Sequence, residues 1–303
     1  MIAKPGLRAN QTDPQTTEAS TGAVSFLTSL PEEPLTRIRP HKSWAAIDLK
    51  EIWAHRELFL LLTWCELKLR YKQTLLGASW VILQPLMMTV VFTIFLGLFV
   101  HPPIKDVPYS IFLYAGLLPW TFFSSAILSS SYSLVSNAKL IRRTYFPRVL
   151  LPLAAVGLRL SDFIISFSFI FVMMPFYGIR PTASLSILPF VILTLILAVI
   201  GIGTWFAALS VKYGDVGTIL PVLLQICMFA SPIVYPASIV PQKWRLLYYL
   251  NPLAGIVEGF RASLFNLEVN WSSLGIAFAV SLFLLVCVSF SFKRMEDEFA
   301  DII

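Results

Sequence analysis

Lys68, Arg70, Tyr71 and Lys72 crowd the approach to Gly77, and past Lys72 no charged residue appears until Lys105. Three cations and a phenol at the edge of an apolar stretch suit pairing with phosphate, the group that lipid headgroups present at a bilayer surface. The stretch that follows, Val81 to Val100, would rise about 30 Å as a helix, the depth of a hydrocarbon core. The cations therefore form a basic collar on a membrane span. Along that span Gln84, Met88, Phe92, Phe95 and Phe99 fall within about 80° of one another at 100° per residue. An aromatic stripe with one amide can stack on sugar rings and let them slide; lipid contact or helix packing is the plainer use of the same face.

Two further groups could carry chemistry. The segment Asn137 to Arg148 combines Lys139, Arg142, Arg143 and Arg148 with Tyr145 and Phe146. It reads either as a positively charged loop with interfacial aromatics or as a short helix that docks on a cytoplasmic partner through adjacent exposed Tyr and Phe. Arg159 and Asp162 stand one helical turn apart inside a later apolar run, where they can neutralise each other. Ionisable residues at membrane depth are costly and face a bundle interior or water. One such pair is thin equipment for an ion-coupled carrier.

The missing chemistry is also informative. No Gly is followed by Lys, so the chain has no P-loop. Cys65, Cys227 and Cys287 are far apart, and His41, His55 and His101 lie alone, which suggests neither a disulfide framework nor a metal site. The acids outside the tails, Asp106, Asp162, Asp215, Glu258 and Glu268, are too scattered for a catalytic set, so no enzyme and no cofactor of its own is expected.

The elements that must position these residues follow from composition. Of 303 residues, 57% are hydrophobic and 13% charged, about half the charge of a soluble domain. The expected class is an all-α polytopic membrane protein. A net charge of +6 resides in loops between apolar runs, which suits lipid headgroups and argues against nucleic acid. Residues 1–43 read as a disordered cytoplasmic tail without a cleavable signal. Residues 44–76 read as an amphipathic interface helix and the collar, with Asp48 and Glu51 as a capping box. Residues 77–292 read as six transmembrane helices, about 79–100, 109–136, 149–176, 185–210, 216–234 and 270–292, and 293–303 as a cytoplasmic tail. Seventeen of the 23 Lys and Arg then fall on one side and five, Arg261 among them, on the other, which places both termini in the cytoplasm. Between the fifth and sixth spans, Asn251 as cap and Pro252 as first helical residue start one of two short helices. These are too short to cross and fit a re-entrant hairpin, 236–267. Gly203 with Ala207 reads as a packing pair, and the serines of the second span as a wet path or a close helix contact.

The runs R-Y-K-Q-T-L-L-G-A-S-W-V-I-L-Q-P-L, Y-F-P-R-V-L-L-P-L-A-A-V, V-K-Y-G-D-V, S-P-I-V-Y-P and N-P-L-A-G-I-V-E-G-F-R, in this order over roughly residues 45 to 295, resemble the type-2 ATP-binding-cassette permeases. Those permeases export polysaccharide or lipid-linked polysaccharide, such as O-antigen or capsule, across the bacterial inner membrane. The resemblance implies a homodimer of six-span subunits with a nucleotide-binding ATPase docked beneath each, ATP and Mg being bound by that separate chain. It assigns ATPase docking to Asp48, Glu51, Lys139, Arg142, Arg143, Tyr145, Phe146 and Arg148. The hairpin becomes an outer gate, with Tyr235, Pro236, Trp244, Asn251, Pro252, Glu258 and Arg261. Lys68, Arg70, Tyr71 and Lys72 would meet a lipid-linked pyrophosphate at the inner leaflet, or simply anionic lipid, and the Gln84 to Phe99 stripe would line the conduit. An exporter of small amphiphiles or lipids with the same fold is the alternative, followed by a secondary transporter or channel that needs no ATPase.

Overall fold

The computed structural model describes residues 49–72, 77, 79–97 and 107–302, which fall in one compact unit. The expected tail 1–43, the cap Asp48 and Phe99 lie outside the described residues. Among the described residues there is no strand, and eleven α-helices follow one another: α1 (Leu49–Ala54), α2 (Arg56–Tyr71), α3 (Ser79–Leu96), α4 (Tyr109–Ser136), α5 (Ala138–Arg143), α6 (Leu150–Phe176), α7 (Leu188–Lys212), α8 (Val216–Ala230), α9 (Arg245–Tyr249), α10 (Pro252–Phe265) and α11 (Trp271–Ile302). The protein is an all-α polytopic membrane protein. Among the described residues, α3, α4, α6, α7 with the 3-10 turn before it, and α11 are long and apolar enough to cross a bilayer, while α8 is shorter.

Helix α4 is the axis of the bundle. It packs on α6, α7, α3 and α10, and α11 closes the far side against α7. Within its most apolar window 78% of α4 is buried, against 11% for α3, which lies on the rim. Small residues let the backbones approach: a Cβ on Gly203 of α7 would stand 3.0 Å from the Ser130 hydroxyl of α4, and one on Gly201 would stand 3.1 Å from the Leu285 amide of α11. Gly203 therefore serves packing, and of the α4 serines Ser130 is the one in close helix contact with it. At one end, the collar end, Phe146, Val149, Leu150, Leu151, Leu134, Ala207, Val211 and Phe292 form a small core under α1 and α2. At the opposite end α4 begins, α6 finishes with Tyr177 beside Ser110, and the hairpin folds back.

Two span prolines explain two polar contacts between helices. Proline has no N–H, so the carbonyl four residues earlier loses its helical partner. Pro85 leaves the Val81 carbonyl, and the Ser166 hydroxyl of α6 donates to it at 2.8 Å. Pro221 leaves the Gly217 carbonyl, and the Tyr132 hydroxyl of α4 donates to it at 2.9 Å. Neighbouring helices thus restore bonds that lipid could not supply.

The expected helix from 216 to 234 stops at Ala230. The next residues are irregular and buried, and their carbonyls are capped one by one: Arg261 donates to the oxygens of Pro232 and Ile233, each at 2.6 Å, and the Tyr109 hydroxyl to that of Val234 at 2.9 Å. Non-helical backbone at this depth is tolerated because protein satisfies it. The sequence expectation of a re-entrant hairpin meets two helical limbs, Gln242–Trp244 continuing into α9, and α10. Asn251 caps α10 by accepting from the Leu253 amide at 3.1 Å, Pro252 follows, and left-handed Asn266 (φ 55°) ends the helix. The segment read as the tail after residue 292 continues the last helix, since α11 runs on to Ile302.

Candidate functional site

Helix α2 presents an unusual face. Its covered positions recur as Leu58, Phe59, Leu62, Thr63, Glu66, Leu67, Arg70 and Tyr71, the stripe expected of a helix packed on one neighbour. Phe59 and Thr63 seat on Gly157 of α6, where a Cβ would stand 3.3 Å from both. Two turns further on the same stripe becomes polar, while Leu60, Leu61, Trp64 and Leu69 point outward. Glu66 and Arg70 are turned toward the bundle, whereas large apolar side chains lie on the outward face, as suits a helix in contact with lipid.

The polar end of the stripe converges on Asp162. Arg70 donates to its Oδ2, the Tyr71 hydroxyl donates to Oδ1 at 2.6 Å, and Arg159, one turn back on α6, lies 3.6 Å from Oδ2. Arg159 is steadied from the other side, donating through Nε to the Ser129 hydroxyl of α4 at 3.3 Å. Glu66 completes the group through its charge on Arg159; burial pushes its carboxyl up, with Arg159 pulling the other way. Burial first, then the bond to Asp162, push the Tyr71 phenol up to about 12, so it remains a donor. The expected local pair of Arg159 and Asp162 is real, but it is part of a six-residue junction that, through Ser129, ties α2, α4 and α6 together.

This junction forms one wall of a cavity of about 330 Å³ between α3, α4, α6 and α8. Gln84 and Met88 line it, as do Ser124, Ser125, Trp120 and Ser166. The collar and the upper part of the expected conduit stripe therefore meet at one place. The rest of the stripe does not reach it: Phe92 packs into the main core and Phe95 is 70% exposed on the rim. A stripe drawn on an isolated helix assumes one neighbour along its whole length, whereas α3 touches two helices and is mostly uncovered. The collar is divided as well. Arg70 and Tyr71 are committed to Asp162, and Lys68 and Lys72 are exposed.

The residues assigned to docking separate in the same way. Lys139, Arg142, Arg143 and Tyr145 are exposed, Tyr145 to 85%. Phe146, expected to be exposed beside it, is instead buried at 6% in the collar-end core, because the extended chain at Thr144 turns the next side chains to opposite faces. Arg148 donates to the Glu296 carbonyl at 2.6 Å and Glu51 sits with Ile52 against Phe292, Lys293 and Glu296, so both hold α1 and the loop to α11.

At the hairpin end Arg261 corrects the charge tally: it is 3% exposed and is no surface cation. Besides Pro232 and Ile233 it donates to the Phe112 carbonyl at 3.1 Å, with its guanidinium 3.6 Å over the Phe112 ring. Gly116 leaves the room it occupies. Glu258 accepts from Ser273 at 3.2 Å, the Tyr235 hydroxyl donates to the Phe229 carbonyl at 3.1 Å, Asn251 also donates to Ser231 at 2.8 Å, Pro236 is buried, and Trp244 is 60% exposed. Of the expected gate residues only Trp244 offers a large free surface.

The link from collar to Asp162 was not anticipated. Its signal was the position of Asp162 as the one acid inside a span, where a cation on a neighbouring element is its cheapest partner.

The chain matches the ABC-2 type transporter family over residues 57–265. It is 27% identical over 248 residues to the O-antigen export system permease protein RfbA of Klebsiella pneumoniae, covering 82% of this chain and 95% of that protein. RfbA of Myxococcus xanthus is 28% identical over 256 residues, 84% of this chain and 98% of the relative. The polysialic acid transport protein KpsM of Escherichia coli is 26% identical over 196 residues, 64% and 75% of the two chains. The stretch matched runs from the start of α2 to the end of α10 and takes in the Asp162 junction, the cavity and the Arg261 clasp, and the chain accordingly belongs to the ABC-2 type transporter family.

Proposed function

We propose that this chain is the membrane permease subunit of an ATP-driven exporter that moves polysaccharide or lipid-linked polysaccharide across the bacterial inner membrane. Family membership, and relatives named for O-antigen export and polysialic acid transport over most of their length, support the reading. The observation that carries it here is the junction of collar and cavity, which puts cationic groups at the mouth of a partly polar space between helices. In this reading two copies enclose the path, six segments of each cross the membrane with α8 completed by the capped chain after Ala230, and both termini are cytoplasmic. The collar end then faces a separate ATPase chain, which binds ATP and Mg.

Docking falls to the exposed set Tyr145, Lys139, Arg142 and Arg143, with Phe146, Arg148 and Glu51 bracing it from behind. Lys68 and Lys72 face anionic headgroups at the inner leaflet. The outer gate is confined to the limb with Trp244, since the capped Asn251–Pro252 start and Arg261 hold α10 fast.

A second reading is favoured by the cavity itself. At about 330 Å³ it would take a small amphiphile or lipid rather than a length of polymer. Deleting the chain and typing the cell-surface glycans separates the two. Loss of one surface polysaccharide with accumulation inside is expected; an intact glycan profile with altered lipids would favour the second reading.

A further inference from the structure

We propose that Arg70, Arg159 and Tyr71 form a binding site for a phosphate-bearing lipid headgroup, and that Asp162 fills this site as an internal stand-in which the phosphate displaces. This deepens the export reading and rests on it. Three donors from two helices meet one carboxylate, with Tyr71 at 2.6 Å and Arg159 at 3.6 Å. Two guanidiniums offer ten N–H groups between them, far more than a single carboxylate can accept. A phosphate presents more acceptor oxygens and up to about two negative charges, and guanidiniums pair with it in two-pronged fashion.

Placement supports the same ligand. Arg70 and Arg159 stand at the wall of the cavity with Asp162, beside Gln84, Ser124 and Ser125, so a headgroup reaching them has room for what it carries. Exposure falls stepwise along the approach: Lys68 and Lys72 are exposed, the Arg70 side chain is 33% exposed, that of Arg159 24% and that of Asp162 12%. An anion collected by the two lysines meets Arg70 next and Arg159 last. Arg159 is set in advance by Ser129, and Glu66, the other acid acting on it, forms no part of the carboxylate's own bonds. Displacing Asp162 has a mechanical consequence. Arg70 and Tyr71 are the last turn of α2, so the exchange unfastens that turn from α6 and reports the arriving headgroup to the helix pair at the collar end.

The test uses the full chain in phosphatidylcholine nanodiscs and a polyprenyl pyrophosphate as probe. Removing the competing carboxylate with Asp162→Asn should tighten binding about tenfold, because an internal occupant lowers apparent affinity by the fraction of sites it leaves open. Arg159→Gln should abolish binding. A purely structural ion pair gives the opposite: an Asp162→Asn protein with unchanged or weaker binding overturns the proposal. Should that variant fold poorly, hydrogen exchange on the unaltered chain decides. Faster exchange at residues 68–72 on adding probe supports the displacement, and unchanged exchange rejects it. Competition by phosphatidylglycerol assigns the phosphate to bilayer lipid; resistance to it, with competition by inorganic pyrophosphate, assigns it to the pyrophosphate-linked cargo. Neither ATPase nor polysaccharide is needed, so a negative result leaves the permease reading to be judged by the glycan profile.

Discussion

Arg261 at the hairpin end and Arg70 with Arg159 at the collar end are cations inside the same bundle, held in opposite ways. Arg261 is 3% exposed and donates to the carbonyls of Phe112, Pro232 and Ile233. Its partners belong to the backbone and cannot leave. Arg70 and Arg159 share the side chain of Asp162, which can rotate away, and they do so at the wall of an accessible cavity. A buried charge bonded to main chain fixes a fold. A half-exposed charge bonded to a carboxylate can change partners, and that is where ligand recognition belongs.

The largest effect is expected at Arg261. Arg261→Met leaves two irregular carbonyls without partners near the start of α4 and should cost on the order of 3–5 kcal/mol, read as a lower thermal midpoint in detergent. Arg261→Lys should recover only part of this, since one ammonium cannot span three carbonyls and stack on Phe112. At the other end Asp162→Asn should cost less, about 1–2 kcal/mol, because Arg70 and Arg159 are partly hydrated. Equal losses at the two ends would erase the distinction.

Smaller effects are expected where the spans are joined by hydroxyl-to-carbonyl bonds. Ser166→Ala orphans the buried Val81 carbonyl freed by Pro85 and should cost about 1–2 kcal/mol, whereas Tyr132→Phe, at a 45% exposed side chain, should cost under about 1 kcal/mol. Ser166→Ala in a Pro85→Ala background should cost less than in the parent, a coupling measurable by a double-mutant cycle. Tyr145→Ala should leave stability unchanged within about 0.5 kcal/mol, yet reduce recovery of a co-purifying ATPase. Undiminished recovery would remove Tyr145 from the docking surface.

Much of this architecture was legible in the chain. The apolar runs, the collar before Gly77, and the Asn251–Pro252 helix start depend on composition or on neighbours within a few residues, and each appears where its local chemistry puts it. Contacts between distant segments were less legible. Asp162 lies 92 residues from Arg70 and 91 from Tyr71, and hydropathy along one dimension cannot say which span faces the collar. The end of α8 at Ala230 has a local cause, since Pro232 turns Ser231 to extended backbone (ψ 153°), but that a guanidinium from α10 takes the carbonyls of Pro232 and Ile233 is a distant contact of the same kind. Phe146 reads as surface beside Tyr145, and only the extended backbone at Thr144 sends the two rings to opposite sides. Pro85 and Pro221 did carry a usable signal, since each names the carbonyl that a neighbour must cap.

The most direct test is surface polysaccharide per copy of inserted chain in cells carrying Asp162→Asn. The account predicts membrane abundance close to that of the parent, with export per copy reduced several-fold because the headgroup is held too tightly at Arg70 and Arg159. Export per copy equal to that of the parent would contradict it and return the Asp162 junction to the same structural role as Arg261.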